Sequence, residues 1–436
     1  MTYRDLEKRI QGTVQRFSNV AASGDSDEVL AIQEWNSVDL AVAILASFRS
    51  GRALLLLSPR LSKEQVQPVV DSQDASLISS ASLVGRDSSG KALGELSSLN
   101  QSESLMLTSG STGAPKVAGH SASNHVSSAM AANSILKLRS SDRCLWSLPA
   151  FHIGGMAILW RAFIAGSSLQ IVERGDELAQ VFEKAPPTIM SLVPTQLREL
   201  VDQKVLSPPS VRTVIVGGAP ILPKLLSRAL ALGYPIRTTF GMTETSSMIS
   251  LSDVWNEVSI PSPVHAGMVL PRVEIRTSAD GRLGVRGDMV FRGYRDPASA
   301  SIAKQDDWWL TQDRVSFTPE GCLLPESRVD AMIISGGENI DPAEIEHVMN
   351  ALPGVESTRV VGIPDTRYGS RPVAFVEMSS HMLPSEEWFK TSLASLLAGP
   401  SIPNRFYSMP RAKGDLKYSK RELAELAIKL QSSSNE

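Results

Sequence analysis

The residues with the clearest chemical purpose form one short string, Thr108-Ser-Gly-Ser-Thr-Gly-Ala-Pro-Lys116. The hydroxyls of Thr108, Ser109, Ser111 and Thr112 alternate with Gly110 and Gly113, and Lys116 closes the string. Glycine lets backbone N–H groups approach an anion closely, and nests of such amides bind phosphate. Ser and Thr add donors, and the lysine adds a cation. A generic Gly/Ser run is commonly a plain turn; the ordered string ending in Pro115-Lys116 sets this one apart. It is not the GxxxxGK[ST] phosphate loop, because Lys116 is neither preceded by Gly nor followed by Ser or Thr.

A loop of this kind must hang on a rigid scaffold. Ser104-Leu-Met-Leu-Thr108 reads as a strand that runs straight into it. Further strand-like runs, Leu169-Gln-Ile-Val172, Thr188-Ile-Met-Ser-Leu-Val193 and Val211-Arg-Thr-Val-Ile-Val216, alternate with helical patterns, which predicts an α/β architecture with largely parallel sheet. The chain opens on an amphipathic helix, with Tyr3, Leu6, Ile10, Val14 and Phe17 at helical spacing.

From about Ala331 the texture becomes compact α+β. Asp341, Pro342 and Glu344 form a helix start with a capping box. Strands are expected at 357–361 and 372–378 and a helix over 386–397. A last helix starts at Ser419, with Glu422 closing a second box and Leu423, Leu426, Ala427 and Leu430 on one face. The domain boundary falls near 328–330. Only 87–100 and 431–436 look loosely ordered.

With 436 residues the chain exceeds one typical core. Lysine and arginine number 43 and aspartate and glutamate 46, a net charge of −3 without long runs of one sign, which argues against a nucleic-acid or membrane-surface partner. Residues 1–9 are polar, and the apolar run 40–48 is far short of the roughly 20 residues needed to span a bilayer. Two cysteines, Cys144 and Cys322, make neither a disulfide framework nor a four-ligand metal site, so a reduced, cytoplasmic setting is expected.

The string 108–116 resembles the phosphate-binding loop of the adenylate-forming superfamily, which includes acyl-CoA synthetases, adenylation domains and luciferases. The likeness continues in order along almost the whole chain. Phe240-Gly-Met-Thr-Glu244 resembles the superfamily's aromatic-Gly-x-Thr-Glu motif, and residues 308–313 its Thr-x-Asp segment. Ser327-Arg-Val-Asp330 resembles the hinge. Ser335-Gly-Gly-Glu-Asn-Ile340 resembles the start of the small domain, and Gly414-Asp-Leu-Lys417 with Arg421 the C-terminal lysine motif.

The fold this implies is α/β: a large N-terminal adenylate-forming domain of mixed sheets and helices (1–329) and a small mobile α+β C-terminal domain (330–436). The resemblance implies ATP, Mg²⁺ and coenzyme A as reactants and cofactors. Residues 108–116 would cradle the β- and γ-phosphates, Thr243 would contact the α-phosphate and Glu244 would hold Mg²⁺, a hard cation that prefers oxygen. Phe240, followed by Gly241, would stack on adenine, and Asp313 would accept the ribose hydroxyls with Arg328 assisting. Lys417 would bridge the acyl carboxylate and the α-phosphate, with Lys413 and Lys420 as neighbouring alternatives. Asp330 would be the hinge, and Ser335, Gly336 and Gly337 would line the pantetheine path. Phe240 stands where tyrosine is commoner, Ser327 replaces a frequent glycine, and two residues separate Gly414 from Lys417.

Within the superfamily, residues 147–155 with Trp160-Arg161, 191–197 and 217–221 resemble the o-succinylbenzoate–CoA ligases of menaquinone and phylloquinone synthesis. A substrate with two carboxylates needs one held while the other reacts. Arg161, Thr195 and Arg198 are candidates for holding it, each with a plain structural alternative. His152 would gate the acyl tunnel or simply pack, and Gly217, Gly218 and Ala219 would form a pocket wall. Other readings are a different aryl- or acyl-CoA synthetase, a stand-alone enzyme loading a carrier protein, and a non-catalytic nucleotide binder. The expected partners are small molecules, with no nucleic acid and no membrane insertion, and self-association is left open.

Overall fold

The computed structural model describes residues 1–21, 29–84, 102–108, 116–256, 260–295, 307–380, 382–410, 418 and 420–433, with the backbone alone for 18–21 and 432–433. The opening helix, Tyr3–Ala21, buries Ile10, Val14 and Phe17 against the helix Val38–Ser50. That second helix is the apolar run 40–48, capped by Ser37, whose hydroxyl accepts from the Leu40 amide at 3.0 Å. Tyr3 stays exposed, but its hydroxyl donates to the Ser167 carbonyl at 2.9 Å.

Two sheets follow. In the first, β1 (Val29–Ile32), β2 (Leu54–Leu56), β3 (Ala75–Leu77) and β4 (Glu103–Thr108) run parallel, and β5 (Lys116–Ser121) turns back antiparallel to β4. Thr108 and Lys116 are therefore partners across a hairpin whose connection is residues 109–115. The sequence reading placed a strand before this loop; the strand after it is an addition.

In the second sheet β6 (Arg143–Trp146), β7 (Ser168–Ile171), β8 (Ile189–Leu192), β9 (Thr213–Val216) and β10 (Ile236–Met242) are parallel. β11 (Ser247–Leu251) and β12 (Met268–Val269) then extend it antiparallel, giving the order β12-β11-β10-β9-β8-β6-β7. The helices Ala122–Leu136, between β5 and β6, and Ile153–Ala165, between β6 and β7, pack into a core around Trp146, Met156 and Trp160. The strand runs read from sequence lie within a residue or two of β4, β7, β8 and β9.

β13 (Glu274–Thr277) and β14 (Arg282–Arg286) begin a third, antiparallel sheet, and the two-residue β15 (Gly293–Tyr294) returns to pair with β5. β16 (Trp309–Phe317) and β17 (Leu323–Arg328) complete the third sheet. Next comes the turn Val329–Ala331, and then a smaller α+β unit with its own core of Ile333, Ile345, Val360, Val376, Phe389 and Phe406. Its strands are β18 (Ile333–Ser335), β19 (Glu338–Ile340), β20 (Val355–Asp365), β21 (Gly369–Met378) and β22 (Phe406–Ser408).

Asp341 caps the helix Pro342–Asn350 by accepting from the Ala343 amide at 2.9 Å, but among the described residues Glu344 does not close the expected box. The helix expected over 386–397 stops at Leu393, six residues before Gly399-Pro400 opens the next turn. The last helix is Lys420–Ser433; its expected cap, Ser419, lies outside the described residues, as do residues 87–100. The two units touch through ion pairs: Arg198 lies 3.1 Å from Glu377, and Lys224 pairs with Glu356.

Candidate active site

The hairpin β4–β5 delivers Lys116 to the edge where β15 joins the sheet, opposite Ala118. There the Lys116 ammonium lies 5.2 Å from the centroid of the Tyr294 ring, a cation–π distance. The Tyr294 hydroxyl in turn donates to Glu244 Oε1 at 2.5 Å.

Glu244 sits in the single 3₁₀ turn Thr243–Thr245 at the end of β10. A bulge at Phe240/Gly241 bends that strand, and a Cβ on Gly241 would lie 2.0 Å from the Ser247 carbonyl oxygen, so only glycine allows the return. Ser246 completes the reversal in the left-handed region, at φ 50°. The carbonyls of Thr243 and Glu244 are tied down: His120 Nε2 donates to the Thr243 oxygen at 2.6 Å, and the Phe291 amide to the Glu244 oxygen at 2.8 Å. Thr243 and Glu244 are thus fixed through their backbone while the Thr243 hydroxyl makes no hydrogen bond among the described residues. His120 is fully buried, and burial pushes its pKa down. The bond to Thr243 places its proton on Nε2.

Asp313 and Arg328 are Cα partners on β16 and β17. Arg328 Nη1 donates to both Asp313 oxygens, at 3.2 and 3.0 Å, while its Nε and Nη2 each reach Asp330 at 2.9 Å. Burial pushes the Asp313 carboxyl up, against the charge of Arg328. Phe240 is half-buried against the cluster containing Val285, Phe291 and Trp309.

The acyl-site candidates gather at the carboxyl ends of parallel strands, where open α/β sheets bind ligands. His152 follows β6, Thr195 follows β8, and Gly217, Gly218 and Ala219 follow β9. A Cβ on Gly217 would meet Thr239 Cγ2 at 2.5 Å, so this glycine serves close strand packing. Gly218, at φ +77°, would bring a Cβ within 3.5 Å of Val193, which places the two loops side by side. The Thr195 hydroxyl oxygen is buried without a hydrogen-bond partner. His152 is exposed beside Phe151, with 4.8 Å between ring centroids.

Arg161 lies deeper, almost wholly buried, with Nη2 2.8 Å from Ser191 Oγ and no carboxylate partner among the described residues. Burial pulls its pKa down to about 10. Arg198, the third candidate for the second carboxylate, is engaged with Glu377 of the small unit at 3.1 Å, in keeping with its plain structural alternative.

Ser335, Gly336 and Gly337 form the tip of the β18–β19 hairpin. Ser335 is buried; Gly336 and Gly337 take φ 60° and 88°, and the Gly336 amide donates to the Tyr368 carbonyl at 2.9 Å. Lys417 and residues 109–113 of the phosphate-loop string lie outside the described residues. Tyr294 and His120 were not anticipated. A two-residue strand has no periodicity to read, and a histidine in an apolar strand reads as core.

The donor set suits magnesium. Glu244 accepts from the neutral Tyr294 hydroxyl and pairs with no lysine or arginine among the described residues, and one carboxylate with substrate phosphates and water is a common magnesium environment. No cluster of three His, Cys, Asp or Glu occurs among the described residues.

Residues 87–295 match the family model described as AMP-binding enzyme, and residues 344–407 match that described as AMP-binding enzyme C-terminal domain. A 2-succinylbenzoate–CoA ligase of Listeria monocytogenes serotype 4b (strain F2365) is 33% identical over 402 residues, covering 87% of this chain and 84% of that protein.

The chain belongs to the AMP-binding enzyme family.

Among solved structures, this AMP-binding enzyme is similar to the o-succinylbenzoate CoA synthetase of Bacillus subtilis in complex with its acyl-adenylate intermediate. The TM-score is 0.82 at 27% identity, over 97% of this chain and 93% of that one. The same synthetase in complex with ATP and a magnesium ion gives a TM-score of 0.81 at 26% identity, over 96% and 93%. Like them, this AMP-binding enzyme is mixed α/β, with a large N-terminal domain and a smaller C-terminal one. Among the described residues no helix is long and apolar enough to cross a membrane.

Proposed function

We propose that this enzyme is an AMP-forming acid–thiol ligase that converts o-succinylbenzoate to o-succinylbenzoyl-CoA. The single observation that carries the reading is the meeting of three parts at one edge: the lysine closing the phosphate-loop hairpin, the Thr243–Glu244 turn, and the Tyr294 side chain between them. The similarity to 2-succinylbenzoate–CoA ligases selects the acid.

In the first half-reaction a substrate carboxylate oxygen attacks the α-phosphorus of ATP and pyrophosphate leaves. Charge on the phosphates is then the main quantity to stabilise. Residues 108–116 hold the β- and γ-phosphates, Thr243 donates to the α-phosphate, and Asp313 accepts from the ribose hydroxyls while Arg328 orients it. Magnesium, held by Glu244, supplies further charge neutralisation on the phosphates. Lys417 bridges the acyl carboxylate and the α-phosphate. In the second half-reaction the CoA thiol attacks the acyl carbonyl and AMP leaves, with the thiol approaching past Ser335 to Gly337. Asp330 is the hinge between the two arrangements, separating an ATP- and acyl-binding domain (1–329) from a mobile lid (330–436).

The buried, unpartnered Thr195 hydroxyl at the rim is the best-placed donor for the second carboxylate. Quinone biosynthesis in the cytoplasm is the setting this reading implies. The test is pyrophosphate release with ATP, Mg²⁺ and CoA over a panel of acids. O-succinylbenzoate should support turnover, while benzoate, fatty acids and amino acids should not. Equal turnover with benzoate would refute the assignment of the acid.

A further inference from the structure

Tyr294 is held more tightly than a surface tyrosine on a two-residue strand requires. Its ring meets Phe291 edge-on, at 5.0 Å and 74°, and Trp309 at 5.8 Å and 74°. Phe291 and Trp309 pack against each other at 4.8 Å, and both are buried. On either side the backbone is pinned: Gly293 and Tyr294 pair with Gly119 and Ala118, and the Arg295 amide donates to the Val117 carbonyl at 2.8 Å. Ring and hydroxyl therefore occupy fixed positions relative to the strand that begins with Lys116.

The two contacts of this ring do different things. The hydroxyl donates to one oxygen of Glu244 at 2.5 Å, which fixes the orientation of the carboxylate without neutralising it. An arginine or lysine in the same place would orient it equally well but cancel the charge a cation needs. The ring meanwhile holds the Lys116 ammonium at 5.2 Å, and Lys116 makes no ion pair with Glu244. Removal of the ring would leave the ammonium free to move toward the carboxylate.

We propose that Tyr294 is a positioning residue for the divalent cation that accompanies ATP: its hydroxyl orients the Glu244 carboxylate, and its ring keeps Lys116 from neutralising it. This rests on the reading of Glu244 as the magnesium-holding acid. Hydrogen-bond partners of metal-holding side chains commonly contribute roughly ten- to a hundredfold in metal affinity. Tyr294→Phe separates the two contacts, because it removes the hydroxyl and keeps the ring.

The experiment is calorimetric titration of the full-length protein with ATP, once in excess EDTA and once across a range of Mg²⁺ concentrations. Wild type, Tyr294→Phe and Glu244→Gln are compared. Tyr294→Phe should bind ATP in EDTA as wild type does, yet need about tenfold more Mg²⁺ to reach half of the magnesium-dependent gain in affinity. Glu244→Gln should lose most of that gain. If Glu244→Gln keeps the wild-type magnesium dependence, the reading of Glu244 fails and takes the proposal with it. If Glu244→Gln loses it while Tyr294→Phe does not, the proposal alone fails. Equal weakening of ATP binding by Tyr294→Phe with and without magnesium would mark a merely structural residue and also overturn it.

Discussion

Asp313 and Arg328 face each other across antiparallel strands, joined by hydrogen bonds of 3.0 and 3.2 Å from one guanidinium nitrogen. The same guanidinium grips Asp330 with its other two nitrogens, at 2.9 Å each. The acid proposed for the ribose and the residue proposed as hinge therefore share one arginine.

Asp313→Ala should weaken ATP binding. Two hydrogen bonds to a charged acceptor are lost, each worth about 1.5–3 kcal/mol, so the dissociation constant should rise at least tenfold. Calorimetry measures it directly, and an unchanged affinity would remove Asp313 from the ribose site.

Lys417→Ala should cut adenylate formation by on the order of 10²–10³ while largely sparing thioester formation from supplied acyl-adenylate. Single-turnover assays of the two half-reactions separate these effects. An equal fall in both would show that the lysine does not divide the chemistry as proposed.

Thr195→Val tests the buried hydroxyl. A buried donor without a partner costs folding stability, roughly 1–3 kcal/mol, so its removal should leave the protein as stable as before or more so. The KM for o-succinylbenzoate should nevertheless rise several-fold at unchanged KM for ATP. Unchanged KM for the acid would make Thr195 a packing residue.

The histidine pair sets an acid limit on stability. His120 and His125 stack at 5.3 Å, both buried, and burial drives the pKa of each down, that of His125 well down. In the unfolded chain both titrate near 6.5, so the unfolded state gains protons that the folded state refuses. Their contribution is complete above that pH and is lost as the pH falls below it. The loss grows as the pH falls further, and His125, whose pKa lies further down, contributes the larger share. Urea unfolding from pH 7.5 to 5 should show this decline, and His125→Phe should flatten it. Parallel pH profiles for variant and wild type would contradict the account.

Much of this molecule is legible in its sequence because local signals and tertiary packing agree. The parallel strands β8 and β9 are mostly apolar runs, buried throughout, as strands covered on both faces must be. Motif order along the chain indicates which side chains to inspect, and several of them do come together. What escapes is everything set by long-range pairing. Tyr294 reaches Glu244 across 50 residues, and His120 reaches Thr243 across 123, through strands whose register no local pattern encodes. Arg198 reads as a candidate for the second carboxylate, yet its partner lies 179 residues away in the other unit.

The central claim is that the phosphate-loop lysine, the Thr243–Glu244 turn and the Asp313–Arg328 pair together move AMP onto an organic acid before any thiol is involved. Isotope exchange between labelled pyrophosphate and ATP, measured without CoA, tests this most directly. The account predicts exchange that requires both magnesium and o-succinylbenzoate and ceases in Glu244→Gln. Absence of exchange with purified protein, ATP, magnesium and a broad set of acids would contradict it.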